Sequence, residues 1–167
     1  WIKDLKNLDV SPTDLSEFHR IAVPGGADSL FSSLSYLLHG TFDHSVELRE
    51  DLVHLLAKKP SFYGLPDDSE TKSMLTMWSL SGVPTTYVVL LAFSVLSKST
   101  IHVHCGSFVF HFCHVNDSQS DFHLECVDGF HFNALALIAP DIPSDRHTPE
   151  VQDEASQTED RNNTPFE

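Results

Sequence analysis

The chain has 167 residues, a hydrophobic content of 41% and a formal net charge of −14 at pH 7. That length points to one domain with an ordinary core, and the acidity argues against nucleic acid as a partner. No apolar run reaches the ~18 residues of a membrane span, and no charged-then-apolar leader suggests secretion.

An opening on Trp1 rather than methionine leads us to expect a segment of a longer protein. Asp14 to Arg20 reads as a short helix with Leu15 and Phe18 inward, and Ile21 to Gly26 as an extended approach to a Gly-Gly loop. A helix then opens at Ser29. Leu30, Phe31, Leu34, Leu37 and Leu38 share one face, and Gly40 suits the C′ position. Asp43 is the expected N-cap of a second helix running from about His44 to Lys58, with Leu48, Leu52, Leu55 and Leu56 inward and Pro60 marking its end. Residues 59–70 read as a surface loop. A third helix starts near Ser69, carries Met74, Leu75 and Trp78, and breaks at Ser81-Gly82. Pro84 suits the first turn of a fourth helix to about Ser97, with Val88, Leu91, Ala92 and Val95 as its apolar face.

From Thr100 the apolar period becomes two. Ile101–His104, Phe108–Val115, Phe122–Val127 and Phe130–Ile138 are the expected strands, and Asp128-Gly129 marks a hairpin turn. Helices first and strands second predict an α+β domain over 1–138. Residues 139–167 hold eight acidic and two basic side chains with almost no apolar content, and read as an acidic disordered tail.

Cys105, Cys113 and Cys126 are odd in number and fall on predicted strands, so they read as reduced core residues, consistent with a cytoplasmic setting. His102, His104, His111, His114 and His123 crowd the same strands. Their spacing has no CxxC or HxxxH pattern, so no metal or other cofactor is expected.

Three stretches carry a resemblance: Asp28-Ser29-Leu30-Phe31 at a helix start, Val46-Glu47-Leu48-Arg49 early in the next helix, and Asp128-Gly129-Phe130-His131-Phe132-Asn133 at a strand start. Together they resemble the ovarian-tumour (OTU) family of papain-like cysteine proteases, most of which cleave ubiquitin chains. The resemblance spans roughly residues 20–138. The family's loop reads Asp-Gly-Asn-Cys-Leu-Phe. Ser29 therefore occupies the cysteine position, Ala27 the glycine and Gly26 the aspartate, with Asp28 between. The resemblance implies a papain-like fold, helices packed on a small, mainly antiparallel sheet. His131 would be the general base and Asn133 its orienting partner, two residues on and so on the same strand face.

Ser29 can also be read as an ordinary helix-capping serine. A cysteine thiol ionises near pH ~8.5 and a neighbouring imidazolium holds it as thiolate. A serine hydroxyl needs base assistance and a well-formed oxyanion hole instead. Three departures at Gly26, Ala27 and Ser29 lead us to expect a degenerate, inactive OTU-like domain that binds ubiquitin or another protein. An active isopeptidase using Ser29, His131 and Asn133 is the alternative, and an interaction module with no ubiquitin link is a third.

Overall fold

The chain changes its apolar period near Ser99, and its architecture changes there too. The computed structural model describes residues 14–24, 26–113 and 119–138. A short strand β1 (Phe18–Ile21) precedes helices α1 (Ser29–His39), α2 (Ser45–Lys58), α3 (Ser69–Trp78) and α4 (Val88–Ser97). Strands β2 (Ser99–Cys105), β3 (Phe108–Phe112), β4 (Ser120–Val127) and β5 (His131–Leu137) complete it. The sheet order is β1-β5-β4-β2-β3. All neighbours are antiparallel except β2 and β4. The fold is thus α+β, as expected, with one parallel pair inside a mainly antiparallel sheet.

The helices cover one sheet face. Phe31, Leu34, Leu52, Leu56, Leu90 and Phe93 meet Ile101, Val103 and Leu124, all 0–1% exposed. Burying each such side chain contributes about 1.5–3 kcal/mol. Gly40 ends α1 in the left-handed region at φ 74°, its N–H donating to Tyr36 O at 2.7 Å.

Several sequence expectations are corrected. Residues 18–21 form β1, not a helix, because they pair with Ala134–Leu137 of β5; tertiary pairing overrides a weak local pattern. The α2 N-cap is His44. Asp43 instead accepts the Thr41 hydroxyl at 2.9 Å. The 59–70 loop contains a 3-10 turn, Pro60–Tyr63, that buries Pro60 and Tyr63. Helix α4 starts at Val88, leaving Pro84–Thr86 outside it. Its fully buried residues are Val89, Leu90, Ala92, Phe93 and Ser94. A helix so broadly buried does not show a single apolar stripe. Strand β3 ends at Phe112, and β5 begins one residue later than expected, at His131. The tail at 139–167 lies outside the described residues.

Candidate functional site

Strand β1 pairs with β5 only from Ala134 to Leu137. Past that point the edge of β5 needs other partners, and α1 supplies them. Ser29 Oγ accepts the Phe132 N–H at 3.2 Å, and Ser33 Oγ donates to Phe132 O at 3.0 Å. The two serines are one helical turn apart, so their hydroxyls reach the same backbone unit. Ser29 is 1% exposed, and its own N–H donates to Gly26 O at 3.2 Å.

Flanking this contact residue in β5 are the two residues of the expected base array, His131 and Asn133. His131 Nε2 and Asn133 Oδ1 are 3.1 Å apart. Asn133 Oδ1 also accepts the Val23 N–H at 3.3 Å, while Asn133 Nδ2 donates to Glu125 Oε2 at 3.1 Å. A flipped amide would set N–H against N–H and oxygen against carboxylate, so the network fixes its orientation. His131 Nε2 is then the donor, which leaves Nδ1 as the basic nitrogen of the neutral ring. Glu125 is held in turn by Arg20. Three side chains from three strands thus orient one imidazole.

Asp28 is the N-cap residue of α1, and its carbonyl accepts the Ser32 N–H at 3.0 Å. Its carboxylate does not cap the helix. It accepts from the Ser81 hydroxyl at 2.8 Å, the Gly82 N–H at 2.9 Å, and Arg49. Burial alone would raise the Asp28 pKa; the Gly82 N–H, the Ser81 hydroxyl and the Arg49 charge outweigh it and hold the carboxyl below its usual range. Arg49 is 2% exposed, donates to Trp78 O at 2.8 Å and Val83 O at 3.0 Å, and lies 3.9 Å over the Phe31 ring. Burial lowers its pKa and Asp28 works against that. The pair bolts the loop before α1 to the loop after α3. With Asp28 drawn away, the first turn of α1 keeps N–H groups and a positive dipole end without a side-chain cap.

A cleft of about 590 Å³ opens beside these elements. Gly26, Ala27, Leu30, Tyr87, Phe130 and His131 are among its lining residues; Ser29 is not. The structure therefore brings Gly26 and Ala27 to the same cleft as His131, joins His131 to Asn133, and sets Ser29 against the backbone next to His131. Asp28 points elsewhere. Gly26 takes φ 118°, a conformation that side-chain-bearing residues rarely adopt. Ala27 is not at positive φ, so the glycine-dependent position in this loop is Gly26.

Sequence reading missed Glu125 and the buried role of Arg49. Arg49 was visible only as part of a motif, since no apolar pattern marks a buried arginine. Glu125 depends on hairpin register. Asp128 and Gly129 take φ 52° and 77°, and Val127 pairs with His131, so the loop holds three residues, not two. That register ejects Phe130, 83% exposed, and sets Glu125 opposite Asn133.

The class these elements define is a helical layer on a mixed sheet, with a helix N-terminus set against a histidine-bearing strand. It is the OTU fold. The chain is similar to the OTU domain of OTUD1, at 20% identity and a TM-score of 0.62, covering 71% of this chain and 85% of that one. It is similar to the viral OTU domain protease from Qalyub virus, at 15% identity and TM-score 0.61, covering 72% and 85%. It is also similar to the Hazara virus OTU bound to ubiquitin, at 16% identity and TM-score 0.59, covering 77% and 87%. No protein-family model and no curated protein matches the chain.

Proposed function

We propose that this chain is a degenerate OTU-like domain that binds ubiquitin, or another protein through the same surface, without cleaving it. One observation carries the reading. The hydroxyl of Ser29, the residue that the sequence resemblance aligns with the family's nucleophile, is buried and committed to the backbone edge of β5. Its backbone N–H, a group that an oxyanion hole at a helix start would use, is committed to Gly26 O. A hydroxyl in that setting serves packing and backbone satisfaction. The solved OTU of Hazara virus bound to ubiquitin supports ubiquitin as the partner. The net charge of −14 complements a basic protein tail. Among the described residues no helix is long and apolar enough to cross a membrane, and a cytoplasmic setting is part of this proposal.

The alternative, an active isopeptidase using Ser29, His131 and Asn133, is favoured by the ordered base array around His131. Two measurements separate the readings. Di-ubiquitin is incubated with the chain, and no cleavage is expected; turnover abolished by Ser29→Ala would establish the alternative. Labelled ubiquitin is titrated and followed by NMR. Saturable shifts are expected, and none at millimolar chain would leave an interaction module without a ubiquitin link.

A further inference from the structure

The sheet face opposite the helices carries a stack of imidazoles that the proposed function does not use. The register sets His102 of β2 directly opposite His111 of β3 and beside His123 of β4. His102 and His123 stack at 4.6 Å with 11° between planes, and His102 meets His111 edge-on at 4.8 Å. His104 lies 5.4 Å from His123. Phe18 of β1 covers the group, 4.6 Å from His123 and 5.7 Å from His104.

Two nitrogen pairs tie the stack together. His102 Nδ1 and His111 Nδ1 are 2.8 Å apart, and His104 Nε2 and His123 Nδ1 are 3.1 Å apart. Each such link needs one protonated and one bare nitrogen. A second proton sets N–H against N–H and breaks it. Among the described residues, counter-charge near His102, His104 and His123 is sparse. From β4, Asp121 Oδ1 lies 3.3 Å from His102 Nε2 without hydrogen-bond geometry, and its side chain is 62% exposed. Glu125 stands opposite His104 but is committed to Arg20 of β1 and Asn133 of β5. Leu135 of β5 faces His123. His104 Nδ1 is buried without a partner. Among the described residues no group of three donors could hold a metal ion.

We propose that this four-imidazole stack is an acid-labile clasp that holds β2, β3 and β4 together beneath Phe18 of β1 at neutral pH and weakens as the pH falls. Protonation places like charges within stacking distance under Phe18, so the outer strands β1 and β3 separate first from that face. Burial, reinforced by His102 and His104, pulls the His123 pKa down to about 4, and burial lowers that of His104. The sign follows: the unfolded chain binds these protons near pH ~6.5 and the folded chain does not, so stability falls as pH drops below that value.

The test is denaturant unfolding of the whole chain from about pH 7.5 to about pH 5, where the folding constant is expected to fall about 30-fold through His123 alone. His123→Phe keeps an aromatic ring under Phe18 and removes the titration; its pH dependence should shrink several-fold. A wild-type constant that stays flat over this range, or an unchanged dependence in His123→Phe, overturns the clasp. Should His123→Phe not fold, NMR titration of the wild-type His123 ring decides: protonation well below the ordinary histidine range supports the clasp, and ordinary titration overturns it. Stoichiometric zinc in the purified chain, lost on chelation, would also overturn it, since metal-held rings are not a proton sink.

Discussion

The two walls of the cleft are built differently. On the β5 wall, His131 is aimed through Asn133, Glu125 and Arg20, a chain of polar contacts crossing three strands. Behind the α1 wall, whose lining residue is Leu30, Ser29 and Ser33 satisfy the N–H and C=O of one residue, Phe132. One wall orients a base; the other finishes a strand edge. The contrast teaches that a network orienting an imidazole can also hold strands together. Asn133 accepts the Val23 N–H and joins β5 to β4, and Glu125 joins β4 to β1, whatever His131 does.

The largest expected effect lies at the foot of the α1 wall. Arg49→Met should cost about 3 kcal/mol, because the Trp78 and Val83 carbonyls lose this donor and the Asp28 carboxylate loses its ion-pair partner. Urea unfolding measures it, and a loss under about 1 kcal/mol would mean the bolt between the two loops is incidental. On the β5 wall, Asn133→Ala should cost about 2 kcal/mol by orphaning the Val23 N–H and releasing the Glu125 carboxylate. If stability is unchanged while the His131 ring titration moves, the array exists to tune the ring alone.

Ser29→Cys probes the contrast most finely. A thiol is a weak hydrogen-bond acceptor, so the Phe132 N–H loses a partner at a cost of about 1 kcal/mol. Little or no reaction with a ubiquitin electrophile is expected. The Ser29 N–H is engaged by Gly26, and one missing oxyanion donor costs on the order of 3 kcal/mol. Rapid labelling followed by chain cleavage would mean that the α1 wall differs from a working one only by its nucleophile.

Long apolar patterns were legible: α1 and its glycine stop, the leucines of α2, and the change to strands near Ser99. What failed depended on distant partners. Phe18 to Ile21 carries no strong period of its own and becomes a strand because β5 offers an edge. Pro84 matched a helix start, but the chain holds Pro84 to Thr86 against the cleft before turning helical at Val88. Within the site, His131 and Asn133 were readable because a strand sets residues two apart on one face. Glu125 was not, since a one-residue difference in the hairpin loop decides whether position 125 or its neighbour opposes Asn133. Nor could sequence spacing reveal that Ser29 is turned toward Phe132.

The strand order has a consequence for how the molecule is made. Strand β5 is the last synthesised of those described, yet it lies between β1 and β4, with Phe18 pairing to Leu137. Until it emerges from the ribosome, β4 keeps an open edge, β1 has no neighbour, and the hydroxyls of Ser29 and Ser33 face no backbone. Pairings this distant in sequence form slowly, because the loop must close before any contact rewards it. The sheet is therefore completed only when a seven-residue strand from the end of the described chain seats between β1 and β4 and brings His131 and Phe132 to the cleft.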